Sequence, residues 1–228
     1  MSLKERWDST VADVAEICRS CNRKPEDVRI IAVSKTVESP VVAEAIAAGA
    51  VDFGENRTQP FNEKFNLYPQ VNWHLIGQLQ SRKAKEVVGK ACLIHSLDRA
   101  SLLHAVQKEA QKLQVIQDML IEVSISGEES KGGIAPADVP ALLEEVQACP
   151  NVRIKGLMTM APQGDMDLAR RTFEGLRILS EELQGEYGTR DKLDFIELSM
   201  GMSEDYAAAI AEGATMVRIG RRIFSESF

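Results

Sequence analysis

Eight short apolar runs, at 29–34, 51–54, 72–75, 91–96, 117–123, 152–158, 195–198 and 215–219, alternate in this chain with longer stretches of helical periodicity. Those stretches include 40–48, 100–113, 136–148, 168–183 and 203–212. Short apolar runs read as strands and apolar residues every three or four positions as helices. Their alternation implies parallel strands joined by helical crossovers. Eight such units in 228 residues, 44% of them hydrophobic, predict a single (β/α)8 TIM barrel over 1–228. The same alternation also permits an open doubly wound sheet. Ahead of the first strand, Leu3, Trp7, Val11, Val14, Cys18 and Cys21 recur at helical spacing and predict an extra N-terminal helix. No linker, repeat or low-complexity tract divides the chain. Residues 127–133, GEESKGG, read as its most loop-like and mobile stretch.

A net charge of -7 and a pI near 5.2 oppose nucleic-acid binding, which needs a basic face to displace counterions. The local basic run Arg82, Lys83, Lys85 and Lys90 fits the solvated face of a helix. Residues 1–10 lack an apolar signal core, and no apolar run approaches the roughly 20 residues that span a bilayer. The expectation is a soluble, cytoplasmic monomer that touches neither membrane nor nucleic acid. Cys18, Cys21, Cys92 and Cys149 are too scattered for a disulfide framework. Cys18 and Cys21 form a CxxC with no further ligands nearby, so helix packing is expected there and no metal.

Barrel ligands bind where the strands end. The first run, RIIAVSK, leads into Ser34 and Lys35, placing an amine at the mouth of an apolar tube. Partial desolvation would raise its neutral fraction for attack on an aldehyde, although a strand-end Lys can also be structural or simply exposed. Later runs end in Gly54-Glu55-Asn56, His74 to Gly77, His95 to Asp98 and Gly156 to Met160. Singly, His74 or His95 could be a hydrogen-bonded core histidine and Met158 a gap-filler. Together they are expected to line one rim. After the seventh run, Ser199, Gly201 and Ser203 precede a helix, and after the eighth Gly220 opens another. Small residues there expose N–H groups that cradle a phosphate, the usual anion site of barrels, while Ser203 itself fits a helix N-cap. An amine on the first strand with a phosphate cradle on the last two fits a phosphorylated aldehyde, of which pyridoxal 5′-phosphate (PLP) is the obvious example.

In order, AVSKT, FGEN, WHLIGQLQSRK, HSLD, SKGG, GLMTMAP, ELSMGMSEDY and VRIGRRIF span nearly the whole chain. This set resembles the pyridoxal phosphate homeostasis protein family, also called the PLP-binding or proline synthetase co-transcribed family. The resemblance implies an alanine-racemase-like barrel without that enzyme's additional domain, with PLP as a Schiff base on Lys35. It implies that Asn56, His74 and Met158 flank the cofactor and that Ser199, Gly201 and Gly220 hold its phosphate. Arg218 would face the pyridine nitrogen. PLP-dependent apo-enzymes are the partners it suggests. Where the family commonly has small residues and then glycine after the equivalent of Gly220, this chain has Arg221, Arg222 and Ser225. Arg221 either adds charge near the phosphate or points to solvent.

Two functions are compatible with these residues: a non-catalytic PLP carrier acting in homeostasis, and an amino-acid racemase. Racemisation needs a base on each face of the substrate carbanion. Lys35 supplies one; none of Tyr68, Tyr187 and Tyr206 has a clear claim to be the other. A guanidinium beside the pyridine nitrogen disfavours its protonation and weakens the ring as an electron sink. The carrier is the expected function.

Overall fold

The computed structural model describes residues 1–128 and 132–225. Helix α1 (Leu3–Ser20) is closed at its start by a capping box between Ser2 and Glu5, satisfying N–H groups that a helix start leaves unpaired. It buries Leu3, Trp7, Thr10, Val14 and Cys18. Val11 is exposed and Cys21 lies at the C-cap, both off the predicted stripe. The difference follows from spacing: Leu3, Trp7, Thr10, Val14 and Cys18 hold strictly to one face, and Val11 and Cys21 fall beside it.

Strands β1 (Arg29–Val33), β2 (Asp52–Glu55), β3 (Asn72–Leu75), β4 (Leu93–Leu97), β5 (Gln117–Glu122), β6 (Val152–Met158), β7 (Leu193–Met202) and β8 (Met216–Ile219) pair in sequence order, all parallel. Strand β8 then pairs with β1, Arg29 opposite Met216 and Ala32 opposite Ile219. That pairing closes the barrel and removes the open sheet from consideration. Helices α2 (Ser39–Ala47), α3 (Thr58–Leu67), α4 (Ala84–Val87), α5 (Ala100–Leu113), α6 (Val139–Gln147), α7 (Met166–Tyr187), α8 (Tyr206–Ala211) and α9 (Arg221–Phe224) follow the successive strands.

The strands are buried on both faces, as parallel barrel strands are. Their outward residues join the helices in one large apolar cluster, whereas Ile31, Leu93, Leu120, Met158 and Met216 form a separate small one. A strand's period of two sends alternate residues to one face. His95 therefore shares the interior with Leu93, Glu122 with Leu120, and Arg218 with Met216. A polar storey stands on an apolar one.

Between β6 and β7 the register shifts at Gly156, whose φ is +149° and where a Cβ would lie 1.9 Å from the Glu197 carbonyl oxygen; only glycine fits. Outside the barrel, the Arg6 Nε–H donates to the Ile223 carbonyl at 2.8 Å, and Arg222 pairs with Asp13, latching α1 to α9. The loop-like stretch 127–133 includes residues 129–131, which lie outside the described residues; Val123 and Ile134 on either side form a parallel bridge. Among the described residues no helix is long and apolar enough to cross a membrane.

Candidate functional site

Lys35 stands two residues past β1 and is exposed at the C-terminal mouth, so the partial desolvation expected from the sequence is not found. Its backbone is anchored one residue earlier. The buried Lys64 ammonium of α3 donates to the Ser34 carbonyl at 2.7 Å and to Glu55 Oε1 at 2.6 Å, and Ser34 Oγ donates to the same carboxylate oxygen at 2.7 Å. A fully buried ion pair thus fixes the end of β1 against the end of β2.

Asn56 is half-buried just past β2, its backbone so close to Gly77 that a Cβ there would lie 2.3 Å from the Asn56 carbonyl oxygen. Asn56, Arg57, Thr58, Gln78, Gln80 and Lys83 help line an open cavity of about 470 Å³ on this rim. Met158 ends β6 and sits inside the barrel in the small apolar cluster.

Arg218 is buried at the same mouth. Its Nη1–H donates to Ser199 Oγ at 2.7 Å and its Nη2–H to the Thr159 carbonyl at 3.0 Å. These bonds use two of the five N–H donors of a guanidinium. Burial pulls its pKa down to about 10 against the opposing charges of Asp205 and Glu122, leaving it cationic at neutral pH. Glu122, at the end of β5, is pushed up to about 7 by burial and by Asp98, with Arg218 opposing. Its Oε2 is buried and has no hydrogen-bond partner among the described residues. Sequence reasoning passed over Glu122; the signal available was a lone acid in the apolar run MLIEV.

The loops after β7 and β8 meet at this mouth. Gly201 has φ +90°, and a Cβ there would come within 2.5 Å of Ala209 Cβ. The Gly220 N–H donates to Ser203 Oγ at 3.3 Å. Ser203 is not the N-cap expected of it: α8 begins at Tyr206, and Asp205 occupies the cap position while accepting the Met202 N–H. The turn that Asp205 closes frees the Ser203 hydroxyl for Gly220. Of the two positions considered for Arg221, its ion pair with Glu204 at 2.9 Å favours the solvent-facing one.

His74 and Ser199 lie deeper than the rim where they were expected. His74 sits 3.1 Å from Asp52 Oδ1 through Nε2 and 3.0 Å from His95 Nε2 through Nδ1. It helps line a charged cavity of about 260 Å³ at the opposite mouth, with Arg29, Asp52, Asp118 and Glu197. His95 Nδ1 is 2.9 Å from Ser199 Oγ, so the Ser199 hydroxyl belongs to the interior beside Arg218 and not to the Gly220 loop. Burial drives the pKa of both imidazoles down, His95 well below its ordinary value. Burial also pushes Asp52 up, but hydrogen bonds from His74 and Asn72 and the nearby Arg29 outweigh it, and the net direction is down. Two neutral histidines therefore stand above an ionised carboxylate.

At one mouth, then, an exposed amine, a buried guanidinium and two small-residue loops converge. A nucleophile for a carbonyl and a fixed donor for an acceptor atom, beside two close-packed glycine turns, suit one small polar molecule.

Comparison with known proteins identifies the family. The family model "Alanine racemase, N-terminal domain" matches residues 11–227. A pyridoxal phosphate homeostasis protein of Aquifex aeolicus is 41% identical over 99% of this chain and 99% of its own length. PipY of Synechococcus elongatus, solved with PLP bound, superposes with a TM-score of 0.86 at 35% identity, covering 98% of this chain and 100% of that one. An alanine racemase of Clostridium difficile shares the fold alone, with a TM-score of 0.72 at 14% identity over 56% of that enzyme's chain. With near-complete coverage of relatives that match along the whole barrel, the chain belongs to the pyridoxal phosphate homeostasis protein family.

Proposed function

We propose that this chain binds PLP at the C-terminal mouth and serves intracellular PLP homeostasis in the cytoplasm, holding the cofactor for PLP-dependent apo-enzymes without turning over a substrate. The observation that carries this reading is the relative solved with PLP bound, which matches along its full length, together with Lys35 and Arg218 facing one mouth. PLP supplies an aldehyde carbon, a basic ring nitrogen and a phosphate. Lys35 would hold the aldehyde as a Schiff base. Arg218, held by Ser199 and Thr159, would donate to the ring nitrogen, with Asn56 and Met158 beside the ring. Gly201, Ser203 and Gly220 would present the phosphate cradle. Ser199 contributes through Arg218, and His74 through His95, each from below. The orphaned Oε2 of Glu122 and the unspent donors of Arg218 fit a ligand with polar atoms of both kinds.

The racemase is the alternative, and neither of the first candidates for its second base, Tyr206 and His74, is free to act at the mouth. Tyr206 is buried on α8 near Arg222, and burial raises its pKa. His74 is committed to Asp52 and His95.

Purified protein mixed with PLP should show a visible absorbance band near roughly 420 nm, as expected for PLP bound to lysine, which Lys35→Ala abolishes. Borohydride reduction and peptide mapping should place the pyridoxyl group on Lys35. Its recovery on another lysine would overturn the assignment.

A further inference from the structure

A single file of hydrogen bonds crosses the barrel from one mouth to the other: Asp52, His74, His95, Ser199, Arg218, with successive separations of 3.1, 3.0, 2.9 and 2.7 Å. Every member is buried. The end members decide its direction. An ionised carboxylate only accepts, and a guanidinium only donates. His74 must then give its Nε2–H to Asp52, leaving Nδ1 bare to accept from His95 Nε2–H. His95 Nδ1 is bare in turn and accepts the Ser199 hydroxyl proton, and Ser199 Oγ accepts from Arg218. Reversing any one link would set two protons or two lone pairs face to face, unmaking a buried bond at substantial cost.

We infer that Asp52, His74 and His95 are positioning residues that polarise this file from the far mouth, so that Arg218 is the one member able to donate a proton-bearing bond toward the C-terminal mouth. The inference rests on the PLP reading above and deepens it. Because the Ser199 proton is turned inward to His95, Ser199 has no O–H to offer the cofactor's ring nitrogen or its phosphate. The guanidinium holds its own protons too tightly to transfer one. The file therefore keeps the ring nitrogen a hydrogen-bond acceptor. Asp52, which touches no part of the proposed ligand, fixes the direction of the Ser199 hydroxyl from the other end of the barrel.

The test is the tautomeric state of the two histidines in the full chain labelled with nitrogen-15 in histidine, with and without added PLP. Both rings should carry their proton on Nε2 with Nδ1 bare. A proton on Nδ1 of either ring in the wild-type protein would overturn the inference, and this measurement needs no variant to fold. Asp52→Leu removes the terminal acceptor and should mix or reverse both tautomers. It should also shift the visible band of bound PLP and raise its dissociation constant on the order of tenfold. Asp52→Asn keeps an oxygen able to accept from both His74 and Asn72, and should restore wild-type tautomers and spectrum. A folded Asp52→Leu protein with wild-type tautomers and an unshifted band would defeat the proposal. Failure of the wild-type protein to take up PLP would instead defeat the function proposed above, since the tautomers are read without the ligand.

Discussion

A carboxyl group buried as Glu122 is, beside Asp98, binds its proton more tightly in the folded chain than in the unfolded one, where its ordinary value is 4.5. Its contribution to stability is therefore fully present below about 4.5 and is lost as pH rises through about 7. Glu122→Gln mimics the protonated form. It should leave stability nearly unchanged at pH 5 and raise it at pH 8.5 by on the order of 2–3 kcal/mol, read from urea denaturation at both pH values; an equal difference at the two would disprove this account. Lys64 presents the opposite case, because its charge is already compensated. Lys64→Met strands Glu55 in the core and should cost about 3–5 kcal/mol, most of it recovered when Glu55→Leu is added. Thermal melts of the single and double variants measure the difference, and a single variant as stable as the double would show that the pair is not coupled.

Among the elements, all eight strands were legible in the sequence because a barrel strand buried on both faces writes a short apolar run. Their ends were less so. Strand β7 extends over Leu193–Met202, well past the apolar run at 195–198, since ladder bonds carry it through polar Asp194 and Ser199 and flexible Gly201. The positions of Lys35, Asn56 and Gly220 at the mouth were readable because a position just past a strand is a sequence property. The depth of His74 was not, because depth depends on the stagger between neighbouring strands as the barrel closes, which no single segment encodes. The β7–α8 turn carries its own prediction. Gly201→Val puts a branched side chain at φ +90° and against Ala209, so the turn must shift while the strands stay paired. PLP affinity should fall about tenfold or more with far-ultraviolet circular dichroism unchanged, whereas pyridoxal, lacking the phosphate, should bind weakly to both proteins. Equal affinity of the wild-type protein for PLP and pyridoxal would exclude a phosphate cradle here.

At the scale of the whole molecule, the proposed function has Lys35 serving one face of anything bound at the mouth. An L-amino acid incubated in heavy water with the PLP-loaded protein should exchange its α-hydrogen slowly at most, with configuration retained, and racemise far more slowly than it exchanges. Isotope content and chirality measured together check this; rapid D-amino acid formation that Lys35→Ala abolishes would install the racemase in place of the carrier. The pairing of β1 with β8 sets a further condition on the molecule. Lys35 belongs to the start of the chain and Arg218 and Gly220 to its end, and they become neighbours only when Ala32 meets Ile219. Contacts so distant in sequence carry the loop-closure cost of nearly the entire chain, so they form late. During synthesis the amine is made long before the residues that would grip the rest of its ligand. A ligand held between both ends acts on contacts absent until the final step, so it slows the opening of the finished barrel and does little to hasten its assembly.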